Sequence, residues 1–195
     1  MLRIIHRINT LQELSKVPKD CGVEVDIRNI GSRLVLNHEP YGDGEELGAY
    51  CNKFDHPFMI ANVKTEGIEE DVISMLEKNG IENFFLLDLA FPSIVKLSRA
   101  GEHRLSVRFS EYEPIESALA AKGMADWVWV DTFTRLPLDA ASNAKLRLAG
   151  FRACLVCPER WGRPSDIAKY RSRMEKEGTT PDAVMTSLAH APEWG

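Results

Sequence analysis

The sequence has no surplus of positive charge: 24 Lys and Arg stand against 29 Asp and Glu, for a formal net charge of −5. A protein that works on a nucleic-acid backbone or an anionic membrane surface needs a cationic face, so neither partner is expected. No apolar run approaches the ~18–20 residues that cross a bilayer. The opening MLRIIHRINT is too short and too quickly polar for a secretory h-region, and a cytoplasmic location is the expectation. Cysteine is sparse. Cys21, Cys51, Cys154 and Cys157 read as the reduced thiols of a cytosolic protein rather than a disulfide framework. Cys154 and Cys157 form a C-x-x-C inside the strand-like run RACLVCP, where positions three apart face opposite ways. Core thiols are expected there, and a zinc site is not.

What is present is ordinary globular composition, 44% hydrophobic and 27% charged over 195 residues, enough for one domain with a sizeable core. Eight apolar, β-rich runs recur: Leu2–Ile5, Val23–Ile27, Phe58–Val63, Phe84–Leu87, Leu105–Phe109, Trp127–Val130, Ala153–Cys157 and Ala183–Met185. Between most of them lie helical patterns. Five of these stop at a glycine (Gly80, Gly101, Gly123, Gly150 and Gly178), as a left-handed C-terminal cap requires. Thr10 and Glu13 form a capping-box pattern after the first run. Strands alternating with helices predict an α/β fold, a compact (β/α)8 barrel of TIM type. An open doubly wound sheet is the alternative, but near-continuous apolar strands suit closure better. The chain is short for a barrel, so some elements must be reduced, and residues 39–57 look like an inserted loop with little helix.

The stretch Gly22–His38 predicts a hairpin, with a turn at Asn29–Ser32. Glu24 and Asp26 stand two apart on its first strand, which puts both carboxylates on one face, ~6.5–7 Å apart along the chain. Paired acids on an apolar strand are costly unless a cation lies between them. With His38 closing the hairpin, the pattern is a candidate site for metal binding and proton transfer. In a parallel barrel, sites form at strand C-termini. That rim collects His6 and Arg7, Glu24, Asp26 and Arg28, Asn62 and Lys64, Asp88, Arg108, Asp131, and Glu159 and Arg160. Arg108 is a candidate substrate contact on this ground alone, and it could equally form an ion pair with Asp131. Trp161, in the loop after the seventh strand, could stack on a substrate ring. Trp127 and Trp129 are expected to be packing residues, and His56, His103 and His190 to be non-catalytic.

The ordered set His6-Arg7, Glu24-x-Asp26, His38-Glu39, Asn62-x-Lys64 and Asp182-Ala-Val-Met-Thr186 resembles the glycerophosphodiester phosphodiesterase family, within the phosphatidylinositol phospholipase C-like barrels. The resemblance runs from the first strand to the eighth. It implies a phosphoric diester hydrolase in which Glu24, Asp26 and the residue at Asn62 hold a divalent cation, Mg²⁺ or Ca²⁺, with Mn²⁺ also possible. It further implies His6 and His38 as the acid–base pair, with either order of roles open, and Arg7 and Lys64 as phosphate contacts. A neighbouring hydroxyl of the substrate would attack first, giving a cyclic phosphate. Two departures stand out. The family's third carboxylate falls on Asn62, which offers an amide oxygen but no charge; Glu66 is a nearby substitute. The inserted cap after the hairpin is short, so the expected partner is a small polar phosphodiester. Asn62 also keeps open a catalytically weak relative that binds a phosphorylated metabolite or a protein.

Overall fold

The computed structural model describes residues 1–195. Ten strands belong to one sheet. β1 (Leu2–Ile5) lies parallel to β2 (Gly22–Ile30), which turns back into the antiparallel β3 (Arg33–Leu36), itself paired with the two-residue β4 (Glu45–Glu46). The parallel series continues with β5 (Met59–Val63), β6 (Phe84–Leu87), β7 (Ser106–Phe109), β8 (Trp127–Val130), β9 (Arg152–Val156) and β10 (Ala183–Thr186). β10 pairs with β1, so the parallel strands curl strongly, and β2 pairs with β5 on its other side. β6 and β7 meet through the single bridge Leu86–Leu105 instead of a ladder. The architecture is therefore mixed α/β with a curled eight-strand parallel sheet, to which β3 and β4 are an antiparallel extension.

Seven helices connect the strands: α1 (Leu11–Leu14), α2 (Leu47–Cys51), α3 (Glu69–Lys78), α4 (Phe91–Arg99), α5 (Ile115–Ala120), α6 (Ala140–Ala149) and α7 (Asp166–Glu177). The Thr10–Glu13 capping box forms and opens α1, and Asp139 caps α6 the same way. All five glycine stops adopt positive φ, from 64° at Gly178 to 93° at Gly101, where an L side chain is strained. The reduction in size falls on α1, α2 and α5, and on a 3-10 turn, Ala191–Trp194, in place of a last helix. Residues 39–57 contain β4 and α2. This stretch is tied down by buried Tyr50, whose hydroxyl donates to the Ile8 carbonyl at 2.8 Å.

Two apolar layers follow from strand alternation. The larger lies between sheet and helices and includes Ile5, Val23, Val25, Ala61, Leu86, Val128 and Leu155. The smaller fills the inside of the curl with Ile4, Ile60, Phe85, Leu87, Trp127, Trp129, Cys154, Val156 and Met185. Cys154 and Cys157 fall in different layers, and all four cysteines are buried and free. Phe58, Phe85 and Trp127 close the N-terminal end of the interior, with ring centroids 4.9–5.9 Å apart. Gly22 is required at this level. A Cβ there would stand 2.6 Å from Ile4 Cδ1 and 2.7 Å from the Phe58 carbonyl oxygen. The apolar filling stops short of the C-terminal strand ends, and the polar rim begins there. No helix is long and apolar enough to cross a membrane.

Candidate active site

Parallel register builds the centre of the rim. Asp26 of β2 lies beside Asn62 of β5, and Glu24 beside Ile60. Glu24 and Asp26 are each 1% exposed and face the interior, as their spacing predicts. Every carboxylate oxygen of the pair has a nearby donor. Asn62 Nδ2 donates to Glu24 Oε1 at 2.8 Å and, more weakly, to Asp26 Oδ1 at 3.4 Å. The Arg7 backbone N–H donates to Glu24 Oε2 at 2.8 Å, and Asn9 Nδ2 to Asp26 Oδ2 at 3.0 Å. Lys64 Nζ lies 3.6 Å from Asp26 Oδ1, and Arg7 Nε 3.8 Å from Asp26 Oδ2. Burial, reinforced by the Asp26 charge, nonetheless holds Glu24 well above the usual carboxylate range.

His6 and His38 approach this centre from two elements. His6 Nε2 stands 3.7 Å from Glu24 Oε2. Burial first, then the Arg160 and Arg7 charges, push the His6 imidazole down to about 3, so it is neutral near pH 7. His38 is held at both ring nitrogens: Nδ1 lies 2.7 Å from Glu39 Oε1, and Nε2 meets the Arg7 guanidinium. A guanidinium can only donate, so Nε2 presents its lone pair and Nδ1 carries the proton given to Glu39. Arg28 fixes the backbone beneath by donating to the His38 carbonyl at 2.9 and 3.1 Å and to the Lys64 carbonyl at 3.0 Å. Arg7 itself has φ 53°. A left-handed non-glycine residue at a strand end costs about 1–2 kcal/mol and is tolerated where the surroundings fix it.

A chain of ion pairs extends from the centre toward β8. Lys64 bridges Asp26 and Asp88, with the Asp88 contact at 2.9 Å. Asp88, also left-handed at φ 63°, contacts Arg108 at 2.6 Å. Arg108 is further paired with Glu113 and Asp131. Three carboxylates therefore surround Arg108, and the Arg108–Asp131 ion pair forms. Its charge is largely committed to the protein. Asp131 also accepts from Trp129 Nε1 at 3.1 Å, while burial lifts its carboxyl to about 6 despite the nearby guanidinium. Both strand tryptophans are packed inside, and His56 is buried with Nδ1 at 3.0 Å from the Cys21 carbonyl. Glu159 is taken up by Thr186 Oγ1 and the Ser187 N–H.

A cavity of ≈150 Å³ opens above the pair, lined by His6, Glu24, Asn62, Asp131, Arg160 and Trp161, among others. It thus gathers residues from β2 and β5, from the positions just past β1 and β8, and from the turn after β9. Glu66 lies elsewhere, lining depressions with Ser93 and Lys96 and with Arg28 and Tyr41. Asn9 has no patterned signal in the sequence, whereas Arg160 is expected at the rim but its place in the cavity is not. Asn9 both donates to Asp26 and accepts from its backbone N–H at 2.8 Å. Arg160 stands at the cavity with no carboxylate partner, and burial, then the Arg7 charge, lower its pKa. It stands close to the Arg7 guanidinium, whose own acid, Asp26, is 3.8 Å away; two guanidiniums so placed favour an anion between them.

The donor set fits a hard cation. No group of three or more His, Cys, Asp and Glu side chains comes together as a ligand shell. The third oxygen is instead amidic: Asn62 Oδ1 is buried without a hydrogen-bond partner, beside two carboxylates. A turn of the amide brings that oxygen to the pair, giving two carboxylates and one carbonyl, an oxygen set suited to Mg²⁺ or Ca²⁺ with water completing the shell.

No protein-family model matches the sequence, and no curated protein matches it. Solved structures do. A glycerophosphodiester phosphodiesterase from Agrobacterium tumefaciens superposes with a TM-score of 0.69 at 15% identity, over 94% of this chain and 95% of its own. A second structure from that bacterium, described as a glycerophosphoryl diester phosphodiesterase, gives 0.70 at 16% identity, over 99% and 96%. At such identity the likeness speaks for the fold. The chain is built on the fold of these glycerophosphodiester phosphodiesterases, and its polar rim lies at the C-terminal strand ends of that fold.

Proposed function

We propose that this protein is a phosphoric diester hydrolase acting on a small polar phosphodiester, on a compact (β/α)8 barrel closed at the Leu86–Leu105 bridge. The observation that carries the reading is the meeting of His6, His38 and Arg7 with the buried Glu24–Asp26 pair at one rim. A divalent cation held by Glu24, Asp26 and Asn62 Oδ1 would supply positive charge against the phosphoryl oxygens. Arg7 and Arg160 bind and orient the phosphate, Arg as a fork, and Lys64 adds a point charge held between Asp26 and Asp88.

The acid–base work falls to the two imidazoles. His38 fits the base: its Nε2 lone pair, engaged by Arg7 in the free protein, is released when Arg7 turns to the phosphate, and Glu39 would stabilise the imidazolium that forms when it takes a proton. A substrate hydroxyl next to the phosphate gives that proton to Nε2 while its oxygen bonds to phosphorus. The P–O bond to the leaving alcohol breaks, and that oxygen takes a proton from His6, which is neutral in the free protein and would gain its proton only with the anionic phosphate bound to offset the Arg160 and Arg7 charges. The cyclic phosphate formed is opened by water with the roles reversed. Hydrolysis of bis(p-nitrophenyl) phosphate is a poor test of the cyclic route, since it has no neighbouring hydroxyl. Glycerophosphodiesters followed by ³¹P NMR test it, with a transient five-membered cyclic phosphate as the expected species.

One observation favours a second reading, a barrel that binds a phosphorylated metabolite with little turnover. The Asn62 amide donates to both carboxylates and so offsets part of the charge that would hold a cation. Restoring the acid with Asn62→Glu separates the two. Increased turnover supports an enzyme with a weakened site, and unchanged phosphate binding without turnover supports the binding module.

A further inference from the structure

Beside the phosphodiester site lies a larger cleft of ≈360 Å³ between the starts of α4 and α5, where β6 and β7 are joined by one bridge only. Asp88 and Arg108 form its inner wall and are also part of the wall of the smaller cavity, so the two spaces share one partition. An aromatic ridge spans the same distance outside. Tyr112 lines the cleft, Trp161 lines the smaller cavity, and Phe133 lies between them, with centroids 5.7 Å from Tyr112 and 4.5 Å from Trp161. Tyr112 is 71% exposed and Trp161 43% exposed, so the ridge offers ring surface to solvent next to the reacting centre.

Resting on the phosphodiester reading, we propose that this cleft and ridge form the subsite for one alcohol of the diester, and that this alcohol is an uncharged glycosyl ring. Aromatic faces take the C–H face of a sugar ring, and carboxylates accept from its hydroxyls. Both are present together: Asp88 and Glu113 are about one-third exposed at the cleft, and Arg108 donates between them. A second phosphate would face the two carboxylates of Asp88 and Glu113 here. An alkyl chain would desolvate Asp88, Arg108 and Glu113 without giving them a partner. A quaternary ammonium is best held by rings that surround it, whereas these three stand in a row. The volume is in the range of pockets that hold small ligands and leaves room for a ring beyond the phosphate.

The test is binding, measured by isothermal titration calorimetry. The probes are the methyl phosphodiester of glucose, glycerophosphocholine, a thymidine methyl phosphodiester and dimethyl phosphate. The glucose diester is expected to bind about tenfold tighter than dimethyl phosphate, and tighter than the other two. Tyr112→Ala, at an exposed position that does not support the core, should erase that preference while dimethyl phosphate affinity changes far less. Dimethyl phosphate binding without a glucosyl preference, or a stronger choline or thymidine probe, overturns the subsite and leaves the phosphodiester reading standing. Failure of every diester to bind overturns both.

Discussion

Asn62 donates its amide N–H to Glu24 Oε1 at 2.8 Å, across the β2–β5 ladder that also sets it beside Asp26. One neutral side chain thus stands where the fold brings a third group to two buried acids, and it leaves its own oxygen unpartnered. Cation affinity should be sensitive to this residue. Asn62→Asp adds a charge and should raise Mg²⁺ or Mn²⁺ affinity about tenfold or more, measured by calorimetry, while Asp26→Asn should abolish binding. Equal affinity in wild type and Asn62→Asp would remove Asn62 from the ligand set.

Arg160 is the unpaired cation of the rim, unlike Arg108. Arg160→Ala should lower kcat/KM for a phosphodiester about 10–100-fold, the loss of a charge-assisted hydrogen bond, with no loss of thermal stability. Arg108→Ala should act differently, lowering the melting temperature because it leaves Asp131 buried without its cation. Steady-state kinetics and thermal melts on the two variants distinguish an anion contact from an internal ion pair.

Asp131 gives a pH signature. Its carboxyl is lifted to about 6 by burial, against about 3.9 in an unfolded chain. Between those values the folded state holds more protons than the unfolded one, so its contribution to stability is full below about pH 4 and is lost as pH rises through 6. The span corresponds to about 3 kcal/mol at most. Urea titrations across pH 4–7 should show this slope in the wild type and a flatter one in Asp131→Asn.

The thiols should be silent in the native protein. Burial raises Cys51 and Cys157 to about 12 and Cys154 higher still, so little thiolate exists at pH 8. Reaction with Ellman's reagent should be negligible until denaturant is added, and then four thiols should titrate. Rapid labelling of Cys154 or Cys157 in buffer would contradict the packing described.

Much of this fold was legible because strand burial and helix termination are local. Phe84–Leu87 and Trp127–Val130 coincide with the observed strands, and Gly80 to Gly178 cap where only a positive φ fits. The hairpin from Gly22 was readable from alternation, and with it the shared face of Glu24 and Asp26. Arg108 and Arg160 were readable as rim residues, and the Arg108–Asp131 ion pair as one alternative, but Asn9 and the wider network around Arg108 were not. Each depends on which side chain arrives from a different strand, as when Asp88, Glu113 and Asp131 converge on Arg108, and no periodicity within one segment encodes that. The single-bridge junction of β6 and β7 was hidden for the same reason. Both strands look regular in isolation, and the cleft exists only in their pairing.

The central claim is that His6 and His38 drive phosphodiester cleavage at the Glu24–Asp26 pair. Release of the alcohol from a glycerophosphodiester with millimolar Mg²⁺ or Mn²⁺, compared across wild type, His6→Ala and His38→Ala, addresses it most directly, because that substrate has both a hydroxyl beside the phosphate and an alkoxide leaving group that needs a proton. Metal-dependent turnover that falls about 10²-fold or more in each variant is the predicted result. Wild-type turnover left undiminished by both substitutions would contradict it.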